Sequence, residues 1–140
     1  EKGRETLRKS MDLNSVANFT LGKYARRVSD EDRARFAEAF ETYLLGSFED
    51  QRDKFRDAEI TVIGSKDRTP KDSIVETRVA RPGEDPQTVR WRVIEKNGEW
   101  RVVDVEVLGL WLAIEQRAQI AAIMDRPRAT IDDAIKALNS

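Results

Sequence analysis

Residues 89–107 read VRWRVIEKNGEWRVVDVEV, and this stretch decides the fold class. Val89, Trp91 and Val93 alternate with Arg90 and Arg92, and Asn97-Gly98 then interrupts the pattern. The partner run, Trp100 to Val107, places Val103, Val105 and Val107 on one face and Asp104 and Glu106 on the other. Alternation of period two is the signature of a half-buried strand. Asn-Gly between two such runs predicts a tight hairpin, because a type I′ turn needs positive φ at both central residues. An Arg-rich strand facing an acidic one, with valines on the opposite side, predicts an antiparallel sheet covered on one face only.

The same alternation extends toward the N-terminus. Val75, Thr77 and Val79 alternate with Ile74, Glu76 and Arg78 up to Arg81-Pro82-Gly83. Ile60 and Val62 flank Thr61, and the residues from Gly64 to Pro70 read as a turn. Four strands thus meander. Before about Asp57 the apolar spacing becomes helical. Gly22 marks a break after a helix carrying Leu13, Val16, Ala17 and Phe19. Ser29-Asp30-Glu31-Asp32 is an N-cap, with a hydroxyl for a free N–H and carboxylates at the positive helix end. The helix it opens carries Phe36, Phe40, Tyr43, Leu44 and Phe48 on one stripe. After the sheet, Gly109 ends the last strand, and a helix from about Leu110 to Met124 follows with Leu110, Ile114, Ala118 and Ala121 in phase. Pro127 stops it, and Thr130 with Asp133 caps a terminal helix bearing Ile131, Ile135 and Leu138. The predicted fold is α+β: N-terminal helices, a four-stranded antiparallel meander covered on one face, and C-terminal helices, all in one domain over residues 1–140.

Composition narrows the chemistry. The chain has no histidine and no cysteine, and 25 Lys and Arg against 26 Asp and Glu leave a net charge of -1. Ser-His-Asp triads, Cys-His pairs, thiolate chemistry and His- or Cys-based metal sites need side chains that are missing. A near-zero charge argues against nucleic acid as a partner, which calls for a basic excess. No phosphate-binding glycine loop and no calcium loop is present, and no cofactor is expected. The apolar stretch from Val107 to Ile114 is too short to span a bilayer, which takes about 20 residues. Asp104, Glu106, Tyr24 and Tyr43 are the residues from which an acid–base pair could be built. For Asp104 a surface or rim salt bridge is the simpler role, since the alternation points it away from Val103 and Val105. The valine face and the helical Phe stripe form either a plain packed core or the walls of an apolar cavity, and periodicity does not separate the two.

Several segments resemble the MlaC family, the periplasmic phospholipid-carrying component of an ABC-transporter system, also called toluene-tolerance proteins. They are Leu21-Gly22-Lys23-Tyr24-Ala25-Arg26-Arg27, the Ser29-capped helix with Phe36, Phe40 and Leu44-Leu45, Gly98-Glu99-Trp100-Arg101-Val102-Val103-Asp104-Val105, Gly109-Leu110-Trp111-Leu112, and Glu115-Gln116-Arg117. Their order and spacing match the family's LG, Phe-rich helix, G-x-W-[KR]-V-x-D-V and G-[VIL]-S-L…Y-R pattern. The sequence departs from it at Trp111, where the family usually has Ser, at Gln116, where it has Tyr, and at Ile120, where Phe is common.

The resemblance implies an NTF2-like, MlaC-like domain with an apolar cavity between sheet and helices. It implies a non-enzymatic periplasmic carrier that shuttles phospholipid between membranes, working with an inner-membrane ABC transporter, its MCE-domain protein and an outer-membrane lipoprotein complex. The chain starts at Glu1 without Met, so the family's signal peptide and part of its first helix are expected to be missing. The expected lipid-lining residues are Phe36, Phe40, Leu44, Phe48, Val75, Val79, Trp91, Val93, Val103, Val105, Leu110, Trp111 and Ile114. Arg117 is expected at a headgroup or in a salt bridge with a neighbouring carboxylate. Trp111 either narrows the cavity or adds a flat apolar wall, which leaves another lipid, such as a hopanoid-related molecule, as an alternative cargo. A small enzyme of the isomerase or dehydratase type and a dry-cored interaction module are the other readings.

Overall fold

Asp12, Ser29 and Thr130 each open a helix with a short polar side chain that can hold free N–H groups. The computed structural model describes Glu5 and residues 8–139. Helix α1 (Leu13–Leu21) begins at Asp12, whose carboxylate accepts from the Ser15 N–H at 3.3 Å and the Ser15 hydroxyl at 2.8 Å. It ends at Gly22, where φ of 58° suits a residue without Cβ, and a 3₁₀ turn, Gly22–Arg26, follows. Ser29 then opens α2 (Asp30–Phe55), accepting from the Asp32 N–H at 3.1 Å with three carboxylates in the first turn, as the sequence predicts. After the sheet come α3 (Leu112–Met124) and α4 (Ile131–Leu138), the latter closed by the expected Thr130–Asp133 capping box.

Strands β1 (Glu59–Thr69), β2 (Asp72–Ala80), β3 (Gln87–Lys96) and β4 (Glu99–Val107) form the expected meander, and a two-residue strand, β5 (Leu110–Trp111), extends it. The sheet order is β1-β2-β3-β4-β5, all antiparallel. Two differences from the expected strands have local causes. Residues 64–69 are strand, not turn: a register shift leaves Ile63 as the extra residue, Gly64 pairs with Glu76, and the reversal falls at Pro70-Lys71. The helix expected from Leu110 begins at Leu112, because Leu110 and Trp111 pair back onto Val107 and Glu106. Both tight turns carry positive φ at their two central residues, 56° and 79° at Asn97-Gly98, and 53° and 82° at Leu108-Gly109.

A third difference changes which residues share a face. β3 and β4 pair as Arg92 with Asp104 and next as Val93 with Val102, which leaves Val103 as an unpaired bulge. Val103 thereby leaves the Val105 and Val107 face and packs against the helices. The buried core belongs to the helices: Val16, Ala17 and Leu21 meet Phe36, Phe40, Ile120, Met124 and Leu138. Among the described residues, Val103 is the sheet's contribution to it. Helix α3 turns Ala113, Ile120 and Met124 inward, while Ile114 and Ala118 lie outside, so the expected Leu110-Ile114-Ala118-Ala121 phase is wrong. A helix that is apolar nearly all round gives periodicity little to choose between.

Candidate functional site

Directly opposed residues of an antiparallel pair point to the same side, so the register assigns every side chain to a face. One face carries the row Val62, Thr77, Val89, Val107 and Leu110 from β1 to β5. Beside it run Val75, Trp91 and Val105, then Ser73, Val93 and Val102. Ile60 and Val79 lie on its other side. The Trp91 indole Nε1 donates to the Thr77 hydroxyl at 2.9 Å, and that hydroxyl donates to the Val89 carbonyl at 2.8 Å. The two bonds satisfy the polar atoms of an otherwise apolar surface and lock the indole against the sheet.

The opposite face carries charge. Arg90 donates to Glu106 at 2.6 Å and to Glu76 at 3.1 Å, and Arg92 grips Asp72 through two bonds of 2.9 and 3.2 Å. The Arg92 guanidinium holds the Asp72 carboxyl below its ordinary value, and Asp72 raises Arg92 in return. Asp104 sits on this face but is not in the expected surface salt bridge. It is buried, and its Oδ1 accepts from the N–H groups of Ala113 at 2.7 Å and Val105 at 2.8 Å. Trp111, the residue preceding α3, has no side-chain acceptor to offer that helix, and Asp104 supplies one from β4. Asp104→Ala is therefore expected to destabilise the fold by about 1–2 kcal/mol. Urea unfolding checks this, and an unchanged midpoint would remove the capping role.

The residues expected to line a lipid cavity fall into separate places. Val75, Val79, Trp91, Val93, Val105 and Leu110 share the apolar sheet face. Phe36 and Phe40 are 0% and 3% exposed inside the helical core, and Leu44 packs on it. Phe48 and Ile114 are exposed on their helices. Val103 lies on the bulge, and Trp111 pairs opposite Glu106, which puts it on the charged face. Val103 and Asp104 instead line a cleft of about 240 Å³ with Ser15, Val16, Phe19, Arg92 and Ile94. Arg117 has no carboxylate partner among the described residues: its guanidinium lies 4.8 Å from the centre of the Phe19 ring and against Gly22. Ile60, Val62, Val89 and Val107 were outside the expected set and belong to the apolar face. The register that places them was open to inspection only for the Asn97-Gly98 hairpin.

Among the described residues no group of three or more acidic side chains could hold a metal, and no helix is long and apolar enough to cross a membrane. A family model described as MlaC protein matches residues 1–140. No curated protein matches the chain. Among solved structures, a phospholipid-binding protein from Ralstonia solanacearum, determined in complex with a phospholipid, superposes with a TM-score of 0.84 at 18% identity. The superposition covers 99% of this chain and 79% of that one, and at this identity it speaks for the fold.

Proposed function

Because the chain belongs to the MlaC family, we propose that it is a lipid carrier whose apolar sheet face shields the acyl chains of a phospholipid. One observation carries this reading: the helical core closes on itself and leaves a five-stranded apolar face outside it. On that face Ile60, Val62 and Leu110 remain more than half exposed, and Phe48 and Ile114 add apolar surface from the helices. In this reading Val75, Val79, Trp91, Val93, Val105 and Leu110 form the floor for the chains, while Phe36, Phe40 and Leu44 pack in the separate helical core.

A carrier needs no nucleophile, metal or histidine. Burying a chain contributes roughly 0.8 kcal/mol per CH₂, so two chains gain on the order of 20 kcal/mol. A membrane offers about the same, and uptake and release are nearly balanced. Membrane partners then serve to lower the barrier. The proposed setting is the periplasm, with the protein shuttling phospholipid between an inner-membrane ABC transporter with its MCE-domain protein and an outer-membrane lipoprotein complex. The buried, capping role of Asp104 speaks against the isomerase or dehydratase reading, which needs a carboxylate facing the cavity.

Native mass spectrometry of the purified protein tests the proposal directly. We expect one phospholipid per chain, released by organic solvent. A clean mass without lipid, and none acquired from phospholipid vesicles, would sink it.

A further inference from the structure

Leu108 is placed at a double disadvantage. It occupies the first central position of the β4–β5 turn with φ of 53°, a conformation that Asn and Gly adopt far more readily than a branched apolar residue. It is also 79% exposed. The equivalent position of the other tight turn holds Asn97. Neither packing nor backbone preference accounts for a leucine here. The apolar residues next along this strip of chain, Leu110, Leu112 and Ile114, are 51%, 46% and 52% exposed.

The strip leads into a basic cleft. Ile114 and Arg117 stand three residues apart and so share one side of α3. Arg117 lies against Gly22 of the 3₁₀ turn, and with Lys23, Arg26 and Arg27 it lines an open cleft of about 450 Å³. Lys23 stands 3.6 Å from Asp125, whose carboxylate is also within electrostatic reach of Arg27, whereas Arg26 and Arg117 have no ion-pair partner among the described residues. Arg27 and Arg117 lie over the rings of Tyr24 and Phe19. These ring contacts hold their guanidinium groups in place without neutralising them.

We propose that this strip and cleft together form a docking surface for an anionic phospholipid membrane. Leu108 enters the acyl region, and Arg26, Arg27 and Arg117 meet the phosphates. The pairing favours a lipid surface over an acidic protein, because protruding leucines next to a cleft with a net excess of arginine fit a phase that is apolar below and anionic above. The proposal extends the carrier reading, since Leu110 belongs to both the cargo face and this strip, and it fails separately from that reading.

The full chain is mixed with vesicles of equimolar phosphatidylglycerol and phosphatidylcholine, or of phosphatidylcholine alone, and bound protein is measured by flotation. Salt is set at roughly 0.05 and 0.5 M to switch screening on. Binding is expected to the anionic vesicles and to weaken at high salt. Arg26→Gln combined with Arg27→Gln is expected to weaken it on the order of 30-fold. Leu108→Asn is expected to weaken it roughly tenfold, while melting no lower than the parent because Asn tolerates the left-handed backbone. Equal binding to both vesicle types, or affinity unchanged in both variants, would overturn the proposal. Bound lipid is weighed in the same samples by native mass spectrometry. Protein that carries lipid yet ignores anionic vesicles overturns the docking surface, leaves the carrier reading intact and turns the cleft over to an acidic protein. Lipid-free protein that still binds them as described supports the surface and removes the carrier.

Discussion

Phe36→Ala is expected to destabilise the protein by about 3–5 kcal/mol, because it empties a fully enclosed site in the helical core. Phe36 is 0% exposed and stacks on Phe40 with ring centres 6.3 Å apart. Truncation removes both the transfer free energy of the ring and its contacts, and the neighbouring helices can close only part of the cavity. Domains of this kind have about 5–15 kcal/mol in total, so the variant stands near the edge of folding. Urea unfolding of delipidated protein measures the loss. The same substitution separates two roles for the α2 stripe. A core residue lowers stability whether or not lipid is bound. A cavity wall would lower lipid occupancy while leaving the delipidated protein within about 1 kcal/mol of the parent, and that outcome would contradict the packing described here.

Val105→Asp is expected to abolish lipid loading while the fold survives. Val105 lies at the middle of the apolar face, paired with Trp91, which is paired in turn with Val75. It is half-buried, so the delipidated sheet can hydrate a carboxylate there. Acyl chains laid over the face would exclude that water, and an unpaired charge against hydrocarbon costs several kcal/mol, a loss of roughly 100-fold or more in occupancy. Arg78→Gln, an exposed position on the other side of β2, is the control and is expected to load normally. Native mass spectrometry gives the occupancy, and circular dichroism confirms the strands. Full loading of Val105→Asp would exclude the sheet face as the cargo site.

The local features of the fold were legible in the residues that make them. The Asn97-Gly98 turn, the Ser29 and Thr130 caps and the alternation of the second, third and fourth strands each depend on neighbours within a few positions, and each is found where the sequence predicts it. The misreadings share a cause of the opposite kind. Gly64 looked like turn because glycine usually is, but pairing with β2 carries the strand through it. The phase of α3 was misjudged because Ala113, Ile114, Ala118, Ile120 and Ala121 are apolar in nearly every direction. The alternation points Asp104 to a surface or rim salt bridge, whereas the start of α3 passes close enough to take its carboxylate as a cap.

The candidate site divides along the same line. By itself the sequence determined that there would be an apolar sheet face with Val75, Val79, Trp91, Val93 and Val105 on it, that charge would lie behind it, and that histidine and thiol chemistry were closed. Period-two alternation and composition need no tertiary information. Only the tertiary structure decided that Val103 and Trp111 leave that face and that Phe36 and Phe40 fill a separate helical core. One unpaired residue in β4 is enough to move Val103 to the other side of the sheet, and no single-strand pattern records it. How the helical core closes depends on which of several apolar helix faces meet, a choice made by contacts between residues far apart in the chain.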